Sequence, residues 1–325
     1  MLSVGQIGAA RGEKKWGTLA VSDYQGNTVD IPVFLVNGNG EGPALCVTAG
    51  IHGAEYPSIE TAFRLAQNTN PQGLNGSLII LPVVNVAAFF ERSIYVCPYD
   101  DKNLNRVFPG KADGSMSEVI AHNIMEEVAP KATHYVDLHG GDMVEALHPF
   151  ILLKKTGMEE IDHTAEALSL GFGIKSIMEI TKDSTGWTGQ GTLFVSMAER
   201  GIPSLIAEAG QCGQLDETSV TLLYNGMLNI MKILHILPGK PNEPPKHEIF
   251  HHFVWLTAEC QGVFYTKVRA SEWIKRDQSI GEIRDFTGNT LQLFVSPVEG
   301  RVLFLVTSPA TKKNHVLMGI GAEEV

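Results

Sequence analysis

Four side chains of this sequence have the types and settings that metal-assisted hydrolysis needs: His52, Glu55, His139 and Glu208. Gly50-Ile51-His52-Gly53-Ala54-Glu55 follows an apolar run and precedes a helical pattern. Its polar side chains should therefore emerge at the carboxyl end of a strand, where open α/β sheets bind ligands. If the turn is helical, His52 and Glu55 share a face at i and i+3, which suits two ligands of one ion. The spacing alone carries little, because with 11 histidines in 325 residues about one His-x-x-Glu arises by chance. A second copy, His163/Glu166, lies inside a helical pattern and reads as a solvated helix face. What singles out the first is the segment Val136-Asp137-Leu138-His139-Gly140-Gly141, an apolar strand ending in His, with two glycines expected to leave room around an ion. Two His and one carboxylate form a catalytic zinc set whose fourth position takes water, so one Zn2+ per chain is the expected cofactor.

A proton acceptor is supplied by Leu205-Ile206-Ala207-Glu208, since a carboxylate ending an apolar run is costly unless it is paired or functional. A helix cap or an ion pair is the plainer alternative for Glu208. Asn105 and Arg106 stand side by side in the turn-rich loop 101–110; Arg forks bind carboxylates bidentately, so the pair is a candidate substrate clamp.

These groups need a sheet to hold them. Apolar runs at 44–49, 77–84, 134–138 and 204–207 read as buried strands, each followed by a Gly-rich turn and a helical pattern. Helices are expected over 57–67, with Pro57 in its first turn, 116–128, 158–168 and 216–237. This alternation predicts an α/β fold whose sheet is mixed and at least partly parallel, flanked by helices. Runs at 18–21 and 29–36 flank Gln25-Gly26-Asn27 and predict an antiparallel hairpin at its edge. Four prolines in 238–245 can continue neither a helix nor a central strand, which puts a boundary between a catalytic domain, 1–238, and a small all-β domain, 239–325. In the latter, β-type runs at 263–268, 291–295 and 302–306 alternate with Gly and Pro turns.

Composition narrows the partners. With 44% hydrophobic and 19% charged residues the chain is that of an ordinary globular protein. A net charge of −11 without a Lys/Arg cluster disfavours nucleic acid and anionic membrane surfaces. Cys46, Cys97, Cys212 and Cys260 form no C-x-x-C pair and no disulfide framework, and the first residues show no signal-peptide pattern, so a cytoplasmic location is expected. A homo-oligomer is compatible with the sequence, which is silent on assembly.

The motifs G-I-H-G-A-E, N-L-N-R-V-F-P-G, D-L-H-G-G and I-A-E-A-G occur in the order found in the succinylglutamate desuccinylase/aspartoacylase family, a branch of the zinc carboxypeptidase superfamily, which the chain resembles over 44–213. The resemblance implies that His52, Glu55 and His139 hold zinc, that Glu208 is general base and then acid, and that Asn105 and Arg106 bind a substrate carboxylate. It also implies an upstream Arg that polarises the scissile carbonyl. In aspartoacylases proper that residue precedes the motif Arg by eight positions, where this chain has Pro98, and Arg92 is the nearest substitute. The departure argues against aspartoacylase activity itself and toward a deacylase of other N-acyl amino acids or diamino acids. The stretch from Asp277 to Gly321 is similar to a biotinyl/lipoyl-like barrel-sandwich without a convincing carrier lysine, and reads as a cap bordering the substrate cleft.

The expected reaction is hydrolysis of a carboxylate-bearing amide, with zinc acidifying water and Glu208 taking its proton. A metallocarboxypeptidase would share these parts but cut peptides, and an inert metal-binding domain would need neither Glu208 nor Arg92. Substrate-selecting side chains are expected on the loops 142–149 and 181–191.

Overall fold

The computed structural model describes residues 1–181 and 189–324. A nine-stranded mixed sheet is its frame. Across the sheet the strands run Glu248–Phe250, Ser176–Ile180, Phe150–Lys154, Ser204–Glu208, His134–His139, Gly40–Ala49, Asn75–Leu81, Thr28–Asn37 and Glu13–Ser22. Every strand expected from the apolar runs is present, and the hairpin forms the antiparallel edge as expected. The central three strands, Ser204–Glu208, His134–His139 and Gly40–Ala49, are parallel, so their carboxyl ends share one rim. Phe150–Lys154 runs antiparallel to Ser204–Glu208, which makes the sheet mixed.

Alternation along the strands builds two cores, one on each face. Leu45, Val47 and Ala49 pack with helices Tyr56–Asn68 (α1), Glu159–Phe172 and Glu217–Ile233, whereas Cys46 faces the opposite core with helices Met116–Asn123 and Leu193–Glu199. Tyr135 belongs to this second core while Val136 and Leu138 belong to the first. Asp137 and His139, two and four residues beyond Tyr135, therefore project to its side. The helix expected over 116–128 is α-helical only to Asn123 and continues as a π-helical turn, Ile124–Val128.

Two further elements were not foreseen for a physical reason. Residues 193–198 of Leu193–Glu199 are buried all round, which erases the amphipathic period that marks a surface helix. Phe150–Lys154 is buried on both faces and lies directly after a proline, so it reads as the end of a loop.

Beyond residue 250 the chain is all-β. Two antiparallel sheets, one built on Val316–Ala322 and Gly300–Val306, the other on Ser279–Arg284 and Gly262–Thr266, enclose a third core around Ile274, Ile280, Ile283 and Val302. The two regions exchange strands. Glu248–Phe250 adds to the large sheet beside Ser176–Ile180, and Glu145–Leu147, from the loop after His139, pairs with Gly300–Val306. Glu248 ties them further, accepting from Arg301 Nε at 2.9 Å and from Lys175 Nζ at 2.6 Å.

Candidate active site

The rim of the three parallel strands collects the predicted chemistry. Gly40–Ala49 leads into the turn bearing His52 and Glu55, His134–His139 ends in His139, and Ser204–Glu208 ends in Glu208. Glu55 is the residue immediately before α1 and makes no side-chain cap bond to it, so the pair sits on a tight turn rather than on a helix. One potential ligand atom from each of His52, Glu55 and His139 lies within 4.8 Å of the others, an arrangement that could hold a metal ion.

Each ligand candidate is aimed by a neighbour. His52 Nδ1 lies 2.7 Å from Glu55 Oε1, while its Nε2 lies 3.2 Å from Asn103 Oδ1. His139 Nδ1 lies 2.9 Å from Glu55 Oε2, and its Nε2 is 3.2 Å from Asp137 Oδ2. Asp137 is fully buried and also accepts from Thr48 Oγ1 at 2.7 Å. The backbone N–H of Gly140 donates to Glu55 Oε2 at 3.2 Å. In both histidines Nδ1 faces the carboxylate and Nε2 faces an oxygen, the orientation that outer partners impose on metal-binding imidazoles. The donor set and its supports thus fit a cation.

The electrostatics agree. Burial opposes ionisation of Glu55, but the His139 and His52 charges and hydrogen bonds overcome it and hold the carboxyl at about 2. His139 is raised well above its ordinary value: burial works against the charge, and Asp137 and Glu55 outweigh it. Burial pushes Glu208 well up, helped by Glu55 and Glu145 and opposed by His139. A carboxylate surrounded in this way needs nearby positive charge to stay ionised.

The glycines after His139 have a different role from the expected one. A Cβ on Gly140 would meet the Ala209 carbonyl oxygen at 2.4 Å, and one on Gly141 the Glu145 carbonyl oxygen at 2.6 Å. Gly140 lets the backbone after His139 lie against the backbone after Glu208, and Gly141 lets the strand bearing Glu145 fold against the same turn.

The four groups open into a cavity of about 530 Å³, which Asn103, Asn105 and Arg106 also line. Asn105 is buried, and the backbone N–H of Leu193 donates to its Oδ1 at 2.9 Å, which fixes the side chain at the cavity wall. Burial lowers the Arg106 guanidinium to about 10, still charged at neutral pH, and its Nη1 donates to the Asn105 carbonyl oxygen at 2.6 Å.

Arg92 is not brought to this cluster. It is the C-cap of the short helix Val86–Glu91, with φ 54°, its N–H bonded to the Ala88 carbonyl; its side chain is exposed and does not line the cavity. Four residues not singled out from the sequence do reach the site: Asp137, Asn103, Tyr95 and Glu145. Asp137 had a signal, because in a strand the residue two before His139 points the same way. Tyr95 and Glu145 had none. The Tyr95 hydroxyl donates to Glu145 Oε1 at 2.7 Å, the Asp142 N–H donates to Glu145 Oε2 at 2.9 Å, and burial lifts Glu145 to about 7. Of the expected selecting loops, 142–149 contributes Val144, Glu145 and Leu147 to the cavity. Most of 181–191, namely 182–188, lies outside the described residues. His163 and Glu166 sit on the helix Glu159–Phe172, where Glu166 accepts from Lys155, away from the site.

Residues 41–234, more than half of the chain, match the family model of the succinylglutamate desuccinylase/aspartoacylase catalytic domain. The chain belongs to this family. The N-alpha-acetyl-L-2,4-diaminobutyric acid deacetylase of Halomonas elongata is 28% identical over 279 residues, covering 84% of this chain and 78% of that one. Among solved structures, the product-bound ectoine utilization protein EutE of Ruegeria pomeroyi superposes with a TM-score of 0.87 at 24% identity, covering 98% of both chains. A succinylglutamate desuccinylase/aspartoacylase of Rhodobacter sphaeroides gives 0.84 at 23%, also over 98% of both. The family fold thus extends through the C-terminal β region, beyond the matched catalytic segment. Among the described residues no helix is long and apolar enough to cross a membrane.

Proposed function

We propose that the protein is a zinc-dependent deacylase that hydrolyses the amide of an N-acyl amino acid or a related carboxylate-bearing amide. The observation that carries this reading is the meeting of the His52–Glu55–His139 cluster with the strand-end Glu208 in one cavity that Asn105 and Arg106 also line. Membership of a deacylase family and the 28% identity to a deacetylase support it.

Zinc held by His52, Glu55 and His139 would supply a Lewis acid and a water acidic enough to attack at neutral pH. Glu208, beside His139, takes the proton of the attacking water and returns it to the leaving nitrogen. A cation at the neighbouring site would also lower the raised Glu208 carboxyl into the range where it can act as a base. Arg106 and the Asn105 amide hold the substrate carboxylate and orient the amide. The position of Arg92 assigns it no part in this set, and Arg106 supplies the positive charge at the cavity.

The test is an assay of zinc-loaded protein against N-acyl amino acids in parallel with peptides of increasing length. Release of free amino acid from the acylated compounds, with peptides inert, supports the deacylase; preferential cleavage of peptides would replace it with a metallocarboxypeptidase.

A further inference from the structure

The polar groups described above occupy one end of the cavity, and its remainder has a different character. From Glu208 the floor runs down one face of the sheet: Ile206 is two residues back on the same strand, and their antiparallel partners are Phe150, opposite Glu208, and Leu152, opposite Ile206. Phe194, from the helix Leu193–Glu199 whose first N–H holds Asn105, lines the cavity too. The C-terminal β region closes the side with an aromatic stack. Phe253 and Trp255 lie with centroids 4.0 Å apart and nearly parallel, Phe150 meets Phe253 edge-on at 6.0 Å, and Trp255 meets Phe304 at 5.9 Å. Among the described lining residues beyond them, Asn314 and His315 form an exposed polar rim, Ser308 is half-buried, Thr192 is a buried polar group, and the Trp255 Nε1–H is buried without a hydrogen-bond partner.

We propose that the substrate carries a bulky apolar group, aromatic or branched aliphatic, that seats against the wall of Phe150, Phe194, Phe253, Trp255 and Phe304. The inference rests on the deacylase reading and names its substrate class. About 530 Å³ is far more room than a carboxylate, an amide and an acetyl group fill, and a preformed apolar wall gains free energy only when it covers apolar surface. An ammonium placed there would be stripped of water without a partner. Glu145 already accepts from the Tyr95 hydroxyl and the Asp142 N–H, so an ammonium would have to compete for its remaining lone pairs. The diaminobutyrate derivative named for the Halomonas relative is thus a poor match to this cavity.

Two substrate series locate the group. One keeps N-acetyl and varies the amino acid through alanine, leucine, phenylalanine and 2,4-diaminobutyrate; the other keeps alanine and varies the acyl group through acetyl, hexanoyl and phenylacetyl. kcat/KM should rise by at least about a hundredfold toward the bulky apolar member in one series, because even one methylene in such a pocket changes it by about 10–200-fold. That series identifies the end of the substrate on the wall. Phe253→Asn should reduce the preference to less than about tenfold, and Val306→Asn, at a partly exposed lining position, should weaken it if the first variant folds poorly. Flat profiles, or a preference for the diaminobutyrate derivative, would overturn the inference while leaving the deacylase intact. Calorimetry of phenylalanine, phenylacetate and 2,4-diaminobutyrate with the zinc-free protein separates the two claims: tighter binding of either aromatic compound without any turnover would sink the deacylase and keep the wall, whereas tighter binding of diaminobutyrate would sink the wall.

Discussion

His139 and Glu208 are register partners at the ends of adjacent parallel strands, so the third ligand candidate and the proposed base are held side by side by backbone pairing. Neither depends on a loop for its place. Replacement of Glu208 by Gln keeps the shape and removes the proton acceptor. Turnover should fall by about a hundred- to ten-thousand-fold while zinc content and melting temperature stay as in the parent. Steady-state rates beside elemental analysis of the same sample check this; retained turnover would remove Glu208 from the mechanism.

Asp137 supports His139 from behind. Asp137→Asn keeps the volume but replaces the carboxylate facing Nε2 with an amide, and should weaken zinc binding by about 10–100-fold. Competition with a chromophoric chelator measures it. Unchanged affinity would show that the strand alone orients the ring.

The two arginines can be separated by single substitutions. Arg106 is half-buried at the cavity and Arg92 is exposed outside it. Arg106→Ala should lower kcat/KM by at least about a hundredfold, on the scale of a lost charged contact that orients the substrate. Arg92→Ala should change it by less than about threefold, in line with an exposed position. The reverse order would reinstate Arg92 as the residue that polarises the carbonyl.

Glu248 joins the large sheet to the C-terminal β region, and it titrates. Burial raises its pKa, but hydrogen bonds from Arg301 and Lys175 outweigh that and hold it at about 2, below the ordinary 4.5. A depressed folded-state pKa contributes stability above the unfolded value and loses it as pH falls through the folded one, so this contribution is complete above about 4.5 and fades toward 2. Glu248→Gln should cost roughly 1–3 kcal/mol at pH 7, discounted for the exposed lysine. Thermal melts of both proteins from pH 7 to pH 2 should show the gap closing below pH 4.5.

The sequence revealed the site where strand periodicity and residue type reinforced each other. His139 and Glu208 could be read from apolar runs that end in a polar residue, because a buried strand announces itself and its carboxyl end is where ligands bind. His52 and Glu55 followed from the same rule, not from their spacing. The residues that aim them were harder to see. Asn103 reaches His52 across 51 positions of sequence, and Glu145 is held by a strand that pairs with residues about 160 positions later. Such contacts are set by tertiary pairing and leave no local pattern. The aromatic wall was hidden likewise, since Phe150, Phe194, Phe253 and Phe304 come from four separate elements.

The central claim is that this chain hydrolyses an amide with one zinc at His52, Glu55 and His139. Its most direct test is the turnover of an N-acyl amino acid by chelator-stripped protein as zinc is titrated back. Activity should be absent at the start, rise in proportion to added zinc and level off at one equivalent per chain. Full activity in the stripped protein, or none at saturating zinc, would contradict it.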